Sequence, residues 1–283
     1  MNSPFIVAEI GGSHNGSQAR AIQLIDAAVR CGADAVKFQC FTPEQMADPG
    51  IIVQSGPWVG RELLQLYRET HTPKEWFPLL FAHARASYIV PFASVFHPDD
   101  VDFLEMIGCE MYKISSFEIL DIPLIRHAAK TGKPLVISTG MATAPEISVA
   151  SAWHQREFGS RPRLTLLKCT SAYPALAGDA NLATMRDMES FGANIGISDH
   201  TIGIAIPVAA TALGATMIEK HLTLSRSDGG PDAGFSSEPH EFAAMVRACR
   251  EAAAALGEVR YGPTESEMSS LPLRRKPGGK RGG

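Results

Sequence analysis

Cysteine is scarce and scattered in this chain. The five residues, Cys31, Cys40, Cys109, Cys169 and Cys249, are odd in number and form no C-x-x-C pair, which argues against a disulfide framework and against a zinc or dithiol motif. They read as reduced thiols of a cytoplasmic protein. Long apolar runs are also missing: Ile204 to Ile218, the longest weakly polar stretch, is too short to span a bilayer and contains Pro207. The opening Met1-Asn-Ser-Pro-Phe-Ile has no charged n-region, so neither an export signal nor a membrane anchor is expected. There is no internal repeat. Nor is there an excess of positive charge. The net charge is -4, and Arg274, Arg275, Lys276, Lys280 and Arg281 cluster near the end without an acid, so the body before them is more acidic still. Bulk electrostatics therefore disfavour nucleic acid as a partner.

What is present is enough for a large core: 283 residues, 45% of them apolar and 20% charged. A single α/β barrel takes about 250 residues. Short β-branched runs alternate with helical stretches throughout, as in parallel βα units. The strand candidates are Phe5 to Ile10, Ala35 to Phe41, Tyr88 to Ala93, Met111 to Ser115, Leu135 to Thr139, Leu164 to Cys169, Asn194 to Ser198 and Thr216 to Leu222. Helical candidates follow each one. Ala19 to Cys31 sets Ile22, Ile25, Ala28 and Val29 on one face, and Phe242 to Leu256 sets Met245, Ala252 and Leu256 similarly. The expected architecture is a (β/α)8 TIM barrel over residues 1–262, with a basic, Gly/Pro-rich and disordered tail over 263–283.

Most strands are apolar along their length and polar where they end, as in Val-Lys-Phe-Gln, Tyr-Lys-Ile-Ser-Ser and Ile-Glu-Lys-His. In a barrel that end faces the ligand. His200 and His221 close the seventh and eighth strands, each beside a carboxylate, Asp199 and Glu219. Adjacent strands lie about 4.8 Å apart, so the two imidazoles can share one metal ion, although a lone strand-end histidine is more often structural. Glu9 ends the first strand, which closes against the eighth. Lys37 and Lys113, with the hydroxyls of Ser116, Ser138, Thr139 and Ser198 and with Gly140, suit a small, multiply charged anion; the alternative is that each lysine pairs with a barrel carboxylate. Ser-Asp-Gly-Gly-Pro-Asp, ending at Asp232, is a flexible loop able to wrap a polar substrate or merely to turn. Thr42 to His71 is a long insertion that reads equally as a lid or as a variable surface loop.

Glu9-Ile-Gly, His14-Asn-Gly, Lys37-Phe-Gln, Tyr112-Lys-Ile, Ser138-Thr-Gly-Met, Cys169-Thr-Ser-Ala-Tyr-Pro, Ser198-Asp-His-Thr, Glu219-Lys-His-Leu-Thr and Gly230-Pro-Asp, in this order, resemble the sialic acid synthase family. Ser116-Phe-Glu-Ile-Leu-Asp-Ile-Pro-Leu-Ile and Gly257-Glu-Val-Arg-Tyr-Gly look most like its pseudaminic acid synthase branch. The resemblance implies a barrel enzyme of cell-surface carbohydrate biosynthesis. Its reaction joins phosphoenolpyruvate to an open-chain N-acylated amino sugar, of the 2,4-diacetamido-2,4,6-trideoxy-altrose type, giving a nine-carbon 2-keto acid and phosphate. It further implies a homodimer, and His200 and His221 as ligands of a divalent metal, manganese first, with magnesium or cobalt as alternatives. Lys37, Lys113, Ser116, Ser138 and Ser198 would contact phosphoenolpyruvate. Glu9, Gln39, Ser171, Tyr173, Glu219 and Asp232 would handle the sugar or move protons, with Glu9, Glu219 and His221 as the catalytic group and either carboxylate able to activate water.

The pattern departs from the family at three positions: Ser13 and Ser171 stand where asparagine is usual, and Val90 stands where a hydroxyl commonly helps to hold phosphate. The resemblance stops near Arg274-Arg275, where relatives usually continue into a small antifreeze-like domain. Two alternatives stay open: an N-acetylneuraminate or legionaminate synthase, with the same chemistry on another sugar, and a non-catalytic barrel or partner subunit, which Val90 motivates.

Overall fold

The computed structural model describes residues 3–158, 163–275 and 277–279. Eight parallel strands, each paired with the next, close on themselves between the eighth and the first. In chain order the elements are β1 (Phe5–Glu9), α1 (Gln18–Cys31), β2 (Ala35–Cys40), α2 (Pro43–Met46), α3 (Leu63–Thr70), α4 (Phe77–Ala86), β3 (Val90–Val95), α5 (Pro98–Met106), β4 (Tyr112–Ile114), α6 (Ile122–Lys130), β5 (Leu135–Ser138), α7 (Ala144–Phe158), β6 (Leu164–Cys169), α8 (Thr184–Met188), β7 (Asn194–Asp199), α9 (Ala205–Ala212), β8 (Met217–His221) and α10 (Pro239–Leu256). This is the (β/α)8 barrel expected. Among the described residues no helix is long and apolar enough to cross a membrane, and all five cysteines are buried and free.

Local chemistry sets the helix ends. Ser17 accepts from the Arg20 amide at 3.3 Å to start α1, and Gly32 ends it at φ +82°. Asp121 accepts from the Leu124 amide at 3.0 Å ahead of α6, and Glu238 with Glu241 forms a capping box around Pro239 at the head of α10. The buried faces keep Ile25, Ala28 and Met245 of the expected residues and differ in the rest. In α1 the core side carries Ala21, Leu24, Ile25, Ala27, Ala28 and Cys31, while Val29 is exposed; in α10 it carries Phe242, Met245, Val246, Cys249 and Ala253. Alanines and a cysteine serve the interface here, because helices packed close to the barrel favour small residues over the larger ones that dominate a periodicity count.

The third strand begins two residues later than expected. Tyr88 is almost fully exposed, at φ +58°, and the Ile89 amide returns to the Ala84 carbonyl at 3.1 Å, so these residues finish α4. The shift matters for the site. Val90 pairs with Ala35 at the foot of the barrel, whereas Ser94 pairs with Gln39 on one side and Lys113 on the other. Four residues of strand, about 13 Å, separate Val90 from the ligand end. The insertion after β2 is also more ordered than a loop. It contains α2, α3 and a short antiparallel ribbon between them, with Ile52 bridged to Glu62 and the Leu63 amide bonded to the Ile51 carbonyl at 2.8 Å.

The register then fixes one layer. Glu9 lies beside Lys37 and beside His221, Cys169 beside Ser198, and Ser198 beside Glu219. Strand side chains alternate, so these residues share the interior face while Lys220 and Asp199 face outward. Beyond α10, residues 263–275 are exposed and carry two short 3-10 turns, Glu265–Glu267 and Leu271–Leu273. Lys276 and residues 280–283 of the expected tail lie outside the described residues.

Candidate active site

Two ammonium groups and two carboxylates meet at the ligand end of the barrel, all almost fully buried. Lys37 Nζ lies 2.7 Å from Glu9 Oε2, 3.3 Å from Glu219 Oε1 and 3.0 Å from Ser94 Oγ. Among the described residues, Lys113 Nζ forms one ion pair, with Glu219 Oε1 at 3.4 Å. The consequences for protonation differ. Burial works against the charge on Lys37, but Glu219 and Glu9 outweigh it and hold the ammonium above its ordinary range. Burial dominates at Lys113 and, with the repulsion of Lys37, leaves it below its ordinary range despite the pull of Glu219 and, more weakly, of Glu9. Glu219 is kept ionised against burial by Lys113, Lys37 and the Ser198 hydroxyl, which donates to Oε1 at 2.9 Å. Glu9 is pushed upward, by burial and by the nearby Glu219 charge, against the pull of Lys37. Its Oε1 accepts from Gln39 Nε2 at 3.1 Å.

Hydroxyl groups surround the lysines. Ser94, Ser116, Ser138 and Ser198 are buried, and Ser116 Oγ lies 2.8 Å from Ser171 Oγ. Gly140, at φ +42°, makes that pairing possible, because a Cβ there would lie 2.4 Å from Ser116 Cβ and 2.6 Å from Ser171 Oγ. Among the described residues, three buried oxygens in this layer have no hydrogen-bond partner: Glu9 Oε2, which is ion-paired with Lys37, and Ser138 Oγ and Glu219 Oε2. Orphaned polar atoms cost about 1 to 3 kcal/mol each, so a layer that keeps them beside an under-paired ammonium is built for a polar guest. An anion with several oxygens meets that description.

The histidine pair stands at the side of this cradle. The His200 and His221 rings lie 5.6 Å apart between centroids. His200 Nδ1 donates to the Thr170 carbonyl at 2.9 Å, which fixes the tautomer and leaves Nε2 with a free lone pair. His221 Nδ1 is buried without a hydrogen-bond partner, 3.9 Å from Asp232 Oδ2. Both imidazoles are held neutral, by burial first: His200 falls to about 4, and His221 is lowered further by the repulsion of His200 and Lys37. Two neutral nitrogens, one of them orphaned, suit a divalent cation. Among the described residues no group of three or more His, Cys, Asp or Glu forms a complete cage, so the remaining ligands of such a cation would be substrate and water oxygens. Asp232 is anchored by the Gly12 amide at 2.9 Å and raised by burial. Gly11, at φ +46°, lets that loop approach, since a Cβ would lie 2.8 Å from Asp232 Oδ2.

Every expected site residue falls in this end of the barrel, and the structure adds four more. Ser94 was hidden by the two-residue shift of β3, and with it goes the concern over Val90: the hydroxyl of this strand is at 94, and 90 is remote. Trp58, from the ribbon tip, and Phe235, from the loop after β8, form an aromatic wall with Tyr173. The Tyr173 and His200 ring centroids are 4.4 Å apart, and those of Phe235 and His221 are 5.0 Å apart. Asn15 ties the first loop to the last through the Gly229 carbonyl at 3.1 Å. Asp199, read from sequence as a neighbour of the histidine, instead faces outward and pairs with Lys220 at 2.5 Å. His14 is scaffold, bonded to Thr72 Oγ1 at 3.2 Å and to the Gly16 amide at 3.1 Å.

The model of the family described as "NeuB family" matches residues 24–261. The chain belongs to the NeuB family. Among its relatives, it is 42% identical over 264 residues to the pseudaminic acid synthase of Helicobacter pylori, an alignment spanning 91% of this chain and 77% of that protein. It is 36% identical to the N,N'-diacetyllegionaminic acid synthase of Legionella pneumophila, over 95% of this chain and 77% of that one. The crystal structure of N-acetylneuraminic acid (sialic acid) synthetase from Leptospira borgpetersenii, in complex with citrate, superposes with a TM-score of 0.85 at 34% identity, covering 97% of this chain and 94% of that chain. The cradle, the histidine pair and the aromatic wall described above are thus features of a NeuB-family barrel.

Proposed function

We propose that this NeuB-family barrel is a pseudaminic acid synthase-type enzyme. It would condense phosphoenolpyruvate with a 2,4-diacetamido-2,4,6-trideoxy-altrose-type sugar, in open-chain form, to a nine-carbon 2-keto sugar acid and phosphate. The observation that carries the reading is the buried cradle of Lys37, Lys113 and four serines, with orphaned oxygens, set against two neutral imidazoles. The choice of sugar leans on the higher identity to the pseudaminic acid synthase than to the legionaminic acid synthase. A cytoplasmic setting goes with it, because phosphoenolpyruvate is made there and the thiols are free.

In this reading Lys113, Lys37, Ser94, Ser116, Ser138 and Ser198 hold the phosphate and carboxylate of phosphoenolpyruvate, replacing water by fixed donors. His200 and His221 would hold a divalent cation, manganese first, which supplies Lewis-acid polarisation of a carbonyl oxygen. Asp232 and Gln39 orient the sugar hydroxyls. Carbon–carbon bond formation breaks the π bond of the sugar carbonyl, whose oxygen takes up a proton to become a hydroxyl, and leaves a cationic centre at the former enol carbon; the proton that water gives up in the next step balances the one gained here. The Lys37- and Lys113-bound Glu219 sits as the fixed counter-charge, and its Oε2, the oxygen without hydrogen bond or ion pair, takes the proton from the water that adds there. Glu9, with both oxygens held, keeps Gln39 and Lys37 in place. Phosphate then leaves as the ketone forms.

The test is to incubate the purified chain with phosphoenolpyruvate, manganese and a panel of amino sugars, with and without a chelator, measuring phosphate release and product mass. Metal-dependent release with the diacetamido-trideoxy sugar is expected; release only with N-acetylmannosamine or the legionaminic precursor would move the substrate assignment. Tight phosphoenolpyruvate binding without turnover on any sugar would support the partner-subunit reading instead. A finer check is Ser94→Ala. Losing one hydrogen bond to a charged group costs about 1.5 to 3 kcal/mol, so the KM for phosphoenolpyruvate should rise roughly 10- to 100-fold while that for the sugar stays within about twofold.

A further inference from the structure

We propose that Trp58 is a specificity-determining residue for the sugar, its ring forming the apolar wall against which the N-acyl methyl group beside the aldehyde carbon packs. The inference rests on the reaction proposed above and adds a residue and a substrate feature to it. Trp58 sits at the tip of the ribbon between α2 and α3, which is held by backbone bonds from Val53 to Arg61 at 3.0 Å and from Gly60 to Val53 at 2.9 Å. Around the tip, Ile52 and Val59 are exposed. The indole itself turns inward. Its Nε1 donates to the Pro231 carbonyl at 2.9 Å, and its ring lies 5.5 Å from that of Tyr173 and 6.2 Å from that of Phe235.

Two features make this wall part of a site rather than a packing contact. First, the rings next to Trp58 are those that touch the histidine pair: Tyr173 against His200 and Phe235 against His221. A carbonyl oxygen brought to the histidines leaves the next carbon of the sugar, with its acylamino group, beside these rings. Second, the only polar atom of the indole is already used by Pro231, so what Trp58 offers to a ligand is apolar. The anion cradle is built from β2, β3, β4, β5 and β7, with Ser116 just past β4, and the wall is built by loops after β2, β6 and β8, so the two substrates meet different surfaces. An acetyl methyl suits this wall. A free amine or a hydroxyl there would be desolvated without a partner.

Steady-state kinetics on the full chain, with the diacetamido sugar and with its analogue carrying N-formyl next to the aldehyde, decide the matter. The parent should prefer acetyl over formyl by about tenfold or more, and Trp58→Ala should erase that preference and raise the sugar KM by about 10- to 200-fold, with the phosphoenolpyruvate KM unchanged. Trp58→Phe should restore most of both. Calorimetric titration of the reduced, unreactive alditol of each sugar should show the same pattern in Kd, a readout independent of turnover. An acyl preference that survives Trp58→Ala would overturn the inference while leaving the reaction standing. A parent protein that releases phosphate with no sugar of the panel would remove the reaction, and this inference with it.

Discussion

Alanine in place of His221 is expected to reduce turnover by about a thousandfold or more and to leave the barrel nearly as stable as the parent. The two halves of that expectation have separate physical grounds. His221 is buried with an unpartnered Nδ1, so the folded protein already carries the cost of an orphaned donor or acceptor, about 1 to 3 kcal/mol. Removing the ring relieves that cost and leaves a cavity that costs a similar amount, so stability should stay within about 2 kcal/mol. Activity has no such compensation, because one of two neutral nitrogens is gone and electrostatic stabilisation is commonly the largest single contribution to a rate enhancement. Phosphate release and urea unfolding measured on the same preparation check both halves, and a chelator should reduce the parent's rate to that of the variant. Full activity in His221→Ala would remove the metal assignment, and a collapse of stability would make the residue structural. His200→Ala should be less benign to the fold, since the Thr170 carbonyl then loses its donor.

Much of this candidate site is legible in the sequence, for a reason that belongs to the fold. A parallel barrel buries its strands on both faces, so a charged residue within an apolar run marks either the end that opens to the ligand or a buried ion pair such as Lys220 with Asp199. Lys37, Lys113, Glu9, Glu219, His200 and His221 all break apolar runs in the first of these ways. Period-2 alternation then separates Glu219 and His221, which face in, from Lys220, which faces out; Asp199 was misread because it directly precedes His200 and therefore points the other way. Trp58 and Phe235 left no comparable signal. They come from loops whose path depends on tertiary contacts, and an aromatic residue between glycines has no period to reveal where it lands. Ser94 was lost by two residues of strand register. The exposed Tyr88 reads as a β-former by propensity, but its backbone is in the left-handed region and ends a helix.

The two lysines, equivalent in the sequence reading, should separate cleanly on mutation. Lys37→Met removes the cation shared by Glu9 at 2.7 Å and Glu219 at 3.3 Å, and leaves Glu9 in particular buried without a counter-charge. Breaking a buried pair in this way costs about 3 to 5 kcal/mol. The unfolding midpoint should therefore fall by roughly 10 °C for a domain of this size. Lys113→Met removes an ammonium with one carboxylate at 3.4 Å, and Glu219 keeps Lys37 and Ser198, so the fold should lose little. Its loss appears in binding. Lys37 is held closely by Glu9 and Glu219, whereas Lys113 has only the longer contact to Glu219, so its ammonium is the one more open to an incoming anion. Lys113→Met should weaken phosphoenolpyruvate binding by about two orders of magnitude or more, on the scale of a charge-assisted contact in a desolvated site. Calorimetric Kd values for phosphoenolpyruvate, set beside thermal unfolding of both variants, test the pair together. Equal losses of stability would show that Lys113 is held as tightly as Lys37, and unchanged affinity in Lys113→Met would take the anion away from this cradle.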